Sequence, residues 1–455
     1  MNPTDARALA VAVKELFESA HRTLRGSAES TLVSRVTEHL GCPMTEIPNV
    51  ALHLPSFEHV NLQRGVDAYL AEHTPEASWF GISGTRHFNT VIDMLAESAN
   101  SGSHQLGAVD YTTVATGPST STEAVQIGLV CTSAPDGSPV VLGIQGAQDD
   151  HHEQRCHLQV LAADRATAAV VRDEVDRLTR EHNIFRGQVL SFGMSEHHGN
   201  QLLTFLPRPA LRADEVVLPE GLLTSIERHV VRTAEQTAVL RRYGQHLKRG
   251  LLLYGPPGTG KTHTVRYLLS RLPECTVFVL SGIAMIRHLR ATTALARRLA
   301  PSVIVVEDVD LIAQHRGMEG NPVLFELLNE MDGIGSEADV TFVLTTNRVG
   351  AMEEALTQRP GRVDLAVEVP KPDTECRERL LRLYSSGTPL DLPSADTVVE
   401  ATDGVTASFI KELVRRAVLR HVDQGGTLDG AVVHDVLTEL MAEQQTLTRS
   451  ILGGR

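Results

Sequence analysis

The segment that decides the fold spans residues 250–262 and reads GLLLYGPPGTGKT. Its first half is an apolar run of strand length, and its second half is a glycine-rich loop after which the pattern becomes helical. Strand, loop and helix in this order are the context in which G-x-x-x-x-G-K-T binds phosphate, because glycines let backbone N–H groups converge on phosphate oxygens. The predicted nucleotide-binding residues are Gly255, Pro256, Pro257, Gly258, Thr259, Gly260, Lys261, Thr262 and the following His263.

Two side chains at the end of this loop have predicted roles of their own. Lys261 supplies a point charge to the β and γ phosphates, and the amino terminus of the following helix adds its dipole. The Thr262 hydroxyl is placed to ligate Mg²⁺. The loop therefore predicts a site for a nucleoside triphosphate with magnesium.

A second apolar run, Val303 to Val306, ends in two carboxylates, Glu307 and Asp308. In a parallel sheet such residues emerge at the carboxyl edge, where the phosphates also lie. We expect Glu307 to hold the magnesium shell, and Asp308 to orient and polarise the attacking water.

Polar residues also follow a third apolar run, Val340 to Thr345. Asn347 is predicted to lie beside the γ phosphate, where its amide can bond both phosphate and water. Further along, Arg359 and Arg362 flank a Pro-Gly turn. Planar guanidinium groups suit the charge of a transferring phosphoryl group, although a turn with two solvated arginines is an equally open interpretation from the residues alone.

Strand-like runs that alternate with helical stretches indicate an α/β fold, with a parallel sheet flanked by helices. We predict this P-loop domain over residues 215–370 and a helical lid over 371–455. A mainly helical region, 1–110, and a small α/β accessory domain, 111–210, are expected to precede it. The predicted helices are Ala8–Glu18, Ser30–Leu40, Gln63–Ala71 and Arg165–Glu181, and the predicted strands of the accessory domain are Ala124–Cys131, Pro139–Ile144, His157–Ala162, Gln188–Phe192 and Gln201–Phe205.

The motif series GPPGTGKT, VIVVEDVD, LLNEMDG, TTNR and RPGRVD resembles the ATPase module of the AAA family, over roughly residues 215–440. The resemblance implies hydrolysis of ATP to ADP and phosphate with Mg²⁺, and assembly into a homo-oligomeric ring, usually a hexamer. In such rings the arginines act on the nucleotide of the neighbouring subunit. Arg359 and Arg362 are therefore implied to be arginine fingers.

Two features depart from the family pattern. The acids usually occur as Asp then Glu, whereas here Glu307 precedes Asp308, and the shorter Asp leaves open a nucleotide-gated scaffold that hydrolyses weakly. Residues 281–288 read SGIAMIRH and lack the aromatic residue with which threading members grip unfolded protein. We therefore expect the ring to remodel or move a protein partner, recruited by residues 1–210, rather than thread it.

The acid order and the Arg249-Gly250 entry to the loop resemble one subfamily in particular. It is the mitochondrial AAA subfamily that translocates a folded Rieske iron-sulfur protein. That subfamily carries a membrane anchor, which we do not expect here because no apolar stretch reaches the roughly 18 to 20 residues that cross a bilayer.

The composition of the chain bears on its partner, its compartment and metal binding. The net charge of −14 disfavours a nucleic-acid partner. Five scattered cysteines indicate a reducing compartment, and we expect a cytoplasmic protein. Two polar clusters, 149–157 with Cys156 and His157, and 196–198, contain metal-ligand residue types without the spacing of a closed zinc site, and solvated loop histidines are the favoured interpretation.

Overall fold

The computed structural model describes residues 31–84, 90–147, 155–193, 203–310, 322–335, 337–348, 362–387, 395–424 and 429–451. The chain forms two compact units. Unit 1 contains residues up to 184 together with 193–205, and unit 2 contains residues 185–192 together with 206–455.

Unit 1 is built on an antiparallel sheet of seven strands in the order β1-β7-β6-β5-β2-β3, with β4 paired to β5. Four helices accompany the sheet among its described residues. The elements are α1 (Thr31–Leu40), β1 (Val50–Pro55), α2 (His59–His73), β2 (Trp79–Ser83), α3 (Val91–Ser101), β3 (Gln105–Gly107), β4 (Asp110–Ala115), β5 (Ser121–Ser133), β6 (Pro139–Gln145), β7 (Arg155–Ala162) and α4 (Arg165–Glu181).

The boundary expected near residue 110 does not separate two units. Strands β1 and β2 lie in the stretch that was expected to be mainly helical, and they pair with β7 and β5. The apolar side chains of Val50 and Leu62 belong to the same core as Val160. The predicted helices over residues 30–40 and 63–71 match α1 and part of α2, whereas the predicted helix Ala8–Glu18 lies outside the described residues.

Two residues of unit 1 provide probes of its stability. Trp79, the only tryptophan of the chain, packs against the core of this unit. His59 is 1% exposed, and its Nε2–H donates to the carbonyl oxygen of Val125 at 2.8 Å. Burial lowers the pKa of His59 below its ordinary value, because a charged imidazolium would lose its hydration there.

Unit 2 contains six parallel strands in the order β14-β10-β13-β12-β11-β8. This confirms the predicted parallel sheet. The remaining strands and the helices up to the lid are β8 (Val189–Phe192), β9 (Leu203–Leu206, across the unit boundary), α5 (Leu222–Glu227), α6 (Thr237–Arg242), β10 (Arg249–Tyr254), α7 (Lys261–Ser270), β11 (Thr276–Ser281), α8 (Gly282–Arg298), β12 (Ser302–Glu307), α9 (Pro322–Gly333), β13 (Val340–Thr346) and β14 (Leu365–Glu368).

Strand β8 was expected in the accessory domain, but it belongs to the parallel sheet. Val189, Leu190 and Ser191 pair in register with Val277 to Val279 of β11. The Ser191 hydroxyl also donates to the Val279 carbonyl at 3.2 Å. The chain therefore leaves unit 1 after residue 184, adds one strand to the sheet of unit 2, and returns.

The carboxyl-terminal part of unit 2 is helical, as the sequence predicts for a lid. Its helices are α10 (Thr374–Ser385), α11 (Ala395–Ala401), α12 (Ala407–Gln424) and α13 (Gly430–Ile451). They share one core, which includes Leu380, Ile410, Leu413 and Val433. No helix within the described ranges is both long and apolar enough to span a membrane.

A buried ion pair fixes the amino ends of two central strands. Arg249 at the start of β10 is 4% exposed and pairs with Asp339, which directly precedes β13 and is 8% exposed at its side chain. Arg249 Nε also donates to the Thr341 hydroxyl at 3.1 Å, and the Thr237 hydroxyl donates to Asp339 at 2.9 Å. These hydrogen bonds support the desolvated pair in part, since Arg249 Nη1 is buried without a hydrogen-bond partner among the described residues.

Candidate nucleotide site

The loop between β10 and α7 has the backbone that its glycines allow. Gly255 and Gly258 have φ values of +144° and +77°. A Cβ on Gly255 would lie 2.3 Å from the Val369 carbonyl oxygen, and a Cβ on Gly258 would lie 2.1 Å from the Ser408 hydroxyl. The close approach of the loop to the residue after β14 thus favours glycine at position 255, and its close approach to the lid favours glycine at position 258.

Lys261 begins helix α7 and is 5% exposed. Its ammonium donates to the carbonyl oxygens of Gly255 and Pro256 at 2.8 and 2.9 Å. Burial lowers the pKa of Lys261, and the carboxylates of Asp308 and Asp310 act against that shift. The cation thus lies inside the loop and within the field of two acids.

The carboxyl ends of β12 and β13 are joined by side chains. Asp308 has a φ of +50°, and its backbone N–H donates to the Thr345 hydroxyl at 3.0 Å. The Asn347 amide donates to the Asp308 carboxylate at 3.2 Å. Glu307 is the last residue of β12 and is half-buried. The parallel register brings these polar ends to one edge, as predicted.

Asp310 is a further residue of this site that was not predicted from the sequence. It is 6% exposed and accepts hydrogen bonds from the Thr346 hydroxyl at 2.9 Å and the Asn347 backbone N–H at 3.0 Å. It therefore orients the turn that carries Asn347 towards the site. Only the first two acids of the segment Glu-Asp-Val-Asp were predicted to be site residues. The third acid of that segment, Asp310, was the signal that could have added it to the site.

A cavity of about 400 Å³ lies between the loop and the lid. Its lining residues come from the loop and helix α7, from the ends of β12 and β13, and from the lid helices. They are Pro257, Gly258, Gly260, Lys261, Thr262, His263, Asp308, Asn347, Tyr384, Ala407, Ser408 and Lys411. Most of the predicted loop residues, together with Asp308 and Asn347, therefore converge on one cavity, whereas Glu307 is not among the described residues that line it.

The lid is attached to the loop at the amino end of α12. The Ser408 backbone N–H donates to the Gly258 carbonyl at 3.0 Å, and the Ser408 and Thr406 hydroxyls are 3.1 Å apart. Ser408 lines the cavity together with Tyr384 and Lys411, and neither of the latter two was predicted from the sequence.

Of the two arginines that flank the Pro-Gly turn, the structure describes Arg362. Arg359 lies outside the described residues. Arg362 is 2% exposed and forms a two-point ion pair with Asp332, with its Nε donating at 3.0 Å. Its backbone carbonyl packs against Gly250, at the start of β10. In this conformation Arg362 is engaged within its own chain and does not line the cavity.

The donor chemistry of the cavity suits a hard cation. The hydroxyl of Thr262 is exposed and the Asp308 carboxylate is half-buried, and both line the same space. Oxygen ligands of this kind are what Mg²⁺ prefers, with waters and substrate phosphates completing its octahedron. Thr262 and the two consecutive carboxylates at the end of β12, Glu307 and Asp308, thus fit a magnesium ion.

The other candidate metal ligands do not form a comparable group. Residues 149–152 and 196–198 lie outside the described residues. The Cys156 thiol is buried, which raises its pKa, and donates to the Pro55 carbonyl at 3.5 Å. His157 contacts His53, with the two Nδ1 atoms 2.6 Å apart. Within the described ranges, no three His, Cys, Asp or Glu side chains are grouped for a metal ion.

Comparison with known proteins finds a family match for the segment that contains the glycine loop and the ends of β12 and β13. Residues 251–371 match the family described as "ATPase family associated with various cellular activities (AAA)". The chain carries a AAA ATPase domain. Domains of this family hydrolyse ATP with Mg²⁺, so the predicted P-loop fold, nucleotide and metal are confirmed for this domain.

Relatives of this chain include proteins of two kinds. The ATP-dependent zinc metalloprotease FtsH 2 of Symbiobacterium thermophilum is 32% identical over 234 residues, or 47% of this chain and 38% of that protein. The proteasome-activating nucleotidase of Methanosphaerula palustris is 30% identical over 229 residues, or 46% of this chain and 54% of that protein. The chain thus covers between about a third and about a half of these relatives.

Proposed function

We propose that this chain hydrolyses ATP to ADP and phosphate, and that it works as a homo-oligomeric ring that remodels or moves a protein partner. One observation carries the proposal. Lys261, Asp308 and Asn347 come from three separate segments and line a single cavity together with the glycine loop.

Each of these residues has a task that its position supports. Lys261 neutralises the β and γ phosphates as its ammonium exchanges the loop carbonyls for phosphate oxygens. Asp308 polarises the attacking water, and Asn347, already bonded to Asp308, orients that water and the γ phosphate. Thr262 and Glu307 hold magnesium, which neutralises the charge that develops on the phosphates.

Phosphate release from ATP and Mg²⁺ by the full chain tests the catalytic part of this proposal. We expect steady turnover that falls by about 10²-fold or more in Lys261→Ala, as for the loss of one major electrostatic contact in other enzymes. Asp308→Asn should bind ATP and lose turnover, whereas Glu307→Gln should raise the magnesium concentration needed. Lys371→Ala removes an exposed lysine and serves as the control.

If the folded wild-type chain turns over ATP no faster than Lys261→Ala, both alone and with candidate proteins, the chain is not an ATPase.

The proposed ring assembly is based on the AAA domain. Residues 1–210 are proposed to recruit the protein partner. Arg359 and Arg362 are proposed to act on the nucleotide of the neighbouring subunit, which requires the Arg362–Asp332 pair to open on assembly. The relatives named as a metalloprotease and a proteasome-activating nucleotidase support a protein as the partner. The acid order shared with the Rieske-translocating subfamily supports a folded one. The proposed location is the cytoplasm.

Mass measurement with ATP tests the assembly. Six copies of the 49.5 kDa chain have a mass of about 300 kDa. Asp308→Asn should hold this ring and retain its partner in a pull-down, because ATP binds without being consumed. A chain that stays at its single-copy mass at micromolar concentration with ATP contradicts the ring.

A second candidate function is a nucleotide-gated scaffold that assembles and barely hydrolyses ATP. It is favoured by the short Asp308 side chain, whose carboxylate already accepts a hydrogen bond from Asn347. Comparison of Asp308→Ala with the wild type separates the two functions. A motor loses measurable turnover and keeps ATP binding and assembly, whereas a scaffold shows no turnover difference between the two proteins.

A further inference from the structure

Strand β4 of unit 1 has one edge without a neighbouring strand. It pairs with residues 121–127 of β5, and within the described residues no strand pairs with its other side. Strands β2 and β6 pair with β5 only from residue 127 onwards. β4 and residues 121–125 of β5 therefore form a two-stranded hairpin, which we call the arm.

The hydrogen bonds of Val125 show which backbone groups of β4 face the outer edge. The Val125 N–H donates to Gln63 Oε1 at 3.0 Å, and the Val125 carbonyl accepts from His59 Nε2 at 2.8 Å. Val125 lies opposite Tyr111, but both of its backbone groups are thus engaged by α2 and neither by β4. In an antiparallel ladder such pairs alternate with pairs that exchange hydrogen bonds. The backbone groups of every second residue from Tyr111 therefore point away from β5.

These outward residues are Tyr111, Thr113 and Ala115, and all three are exposed. The Thr116 N–H donates across the turn to the Thr120 carbonyl at 2.9 Å, as the same alternation requires. No hydrogen bond from the described part of the chain reaches the three outward N–H or C=O groups. Another extended chain satisfies such a row of donors and acceptors in full.

The two edges of the arm differ in their protection against such pairing. On the β5 side, side chains of α2 cap the backbone of Val125, and the exposed Glu123 places a charge on the edge. On the β4 side, residues 111–115 read YTTVA and contain none of the lysines, prolines or acids that guard exposed edges. Tyrosine, threonine and valine also favour strands. The β4 edge is thus the one available for pairing.

The surroundings of the β4 edge indicate the chemistry of the segment that fits it. Tyr111 is 53% exposed and offers an aromatic ring at the start of the edge. Asp110 directly precedes the edge, and Glu123 lies opposite Thr113 on the neighbouring strand. A segment with β-branched or aromatic residues and a basic residue is therefore complementary to this edge.

We infer that the β4 edge is the docking site for the protein partner, and that it takes an extended, basic segment of that protein as an additional strand. The inference rests on the proposed function in taking residues 1–210 as the part that recruits a protein. A folded protein supplies such a segment from a terminus or a loop. Antiparallel pairing with β4 of a second copy needs a twofold axis, which neighbours in a closed ring do not share.

Selection of random heptapeptides on the immobilised full chain tests this assignment. We expect enrichment of peptides that combine β-branched or aromatic residues with lysine or arginine. The affinity of a selected peptide, labelled with a fluorophore, is then measured by anisotropy. Thr113→Pro should weaken its binding by about tenfold or more, because proline removes one outward N–H and its ring blocks the approaching strand.

Ser121→Pro is the matched control. Ser121 lies opposite Ala115, so its N–H points away from β4 on the other edge of the arm. The peptide affinity should stay unchanged in this variant. Thr113→Lys keeps the backbone donor and should still weaken binding, because its charge repels a basic peptide. The Trp79 unfolding midpoint should be close to that of the wild type in all three variants, since no hydrogen bond within the arm is lost.

Hydrogen exchange resolved to single amides locates the bound peptide on the strand. In the free chain the Thr113 amide should exchange faster than the amides of Thr112 and Val114, which face β5. The selected peptide should slow exchange at Thr113 in the wild type and at no residue of β4 in Thr113→Lys.

Three outcomes overturn the inference. Equal peptide affinities in the wild type and in Thr113→Pro show that the selected peptides bind elsewhere. Protection of the Thr113 amide by ATP alone, before a peptide is added, assigns the edge to a second copy of the chain. A selection that yields no binding peptide shows that the edge takes no partner. None of these measurements needs ATP turnover, so a failure of the proposed ATPase activity is seen separately.

Discussion

The two sheets of this chain place the ends of their strands differently. In the antiparallel sheet of unit 1, neighbouring strands run in opposite directions, so the residues that follow them are divided between two edges. In the parallel sheet of unit 2, β10, β12 and β13 all end at one edge, where the loop, Asp308 and Asn347 meet. A parallel sheet thus gathers residues that are distant in sequence into one site. We expect the two units to differ also in stability and in the effect of their core substitutions on the site.

The largest expected effect comes from the buried ion pair of unit 2. Asp339→Ala leaves Arg249, which is 4% exposed, without its carboxylate. Removal of one partner of a buried pair costs about 3–5 kcal/mol. We expect the unfolding midpoint of unit 2 in denaturant, followed by far-UV circular dichroism, to fall accordingly. Glu378→Ala, which removes a half-buried acid paired with the exposed Arg382, should leave the midpoint nearly unchanged.

Matched leucine substitutions in the two sheets compare the units directly. Leu142 in β6 and Leu344 in β13 are both 0% exposed, and each change to alanine should cost about 2–5 kcal/mol. Leu142→Ala should lower the unfolding transition seen by Trp79 fluorescence and leave ATP affinity unchanged. Leu344→Ala should weaken ATP binding, since β13 carries Asn347. If both variants shift the Trp79 signal equally, the units unfold together and the comparison fails.

Alanine substitutions at two separate glycines test how closely the loop approaches the lid. Gly258→Ala places a methyl group 2.1 Å from the Ser408 hydroxyl at a φ of +77°. The left-handed backbone alone costs roughly 1–2 kcal/mol, and the contact with α12 adds to it. Gly244→Ala has a similar φ of +65° with nothing within 4 Å, so it carries the backbone cost alone. Nucleotide affinity should fall in Gly258→Ala and stay unchanged in Gly244→Ala, and equal affinities would contradict the lid contact.

The smallest expected effect is a pH dependence of unit 1. Because burial lowers the pKa of His59, the folded state keeps the imidazole neutral while the unfolded state takes up a proton near pH 6.5. Unit 1 should lose stability as the pH falls below about 6.5, by at most about 1.4 kcal/mol per pH unit. The Trp79 midpoint between pH 7.5 and 5.5 should vary less in His59→Gln, and the exposed His182→Gln should behave like the wild type. His157, whose pKa is also lowered by burial, contributes to the dependence that remains in this variant.

The sequence predicted the parallel sheet well because its strands are short apolar runs, each followed by a motif with a chemical reason to be there. It failed at β1 and β2, whose few residues adjoin prolines and loops and show no clear alternation. It assigned β8 to the wrong unit, because the pattern of a strand does not reveal which distant strand it pairs with.

Within the site, the residues on the loop and at the strand ends were predicted from the sequence, whereas Tyr384 and Lys411 of the lid were not. The helical repeat alone could have indicated Lys411, since it lies four residues after Ala407 and therefore on the same face of α12. The ion pair between Arg362 and Asp332 could not be predicted from the sequence, because it depends on the packing of the turn against α9.

The excursion of β8 into the parallel sheet affects how the chain can be divided. A truncation that begins at residue 206 removes β8 and leaves β11 with an unpaired edge on the side that β8 now covers. Exposed edges of this kind promote association between molecules. The catalytic part of the chain is therefore not a contiguous segment, and a cut at the boundary predicted between residues 210 and 215 would separate its sheet from β8.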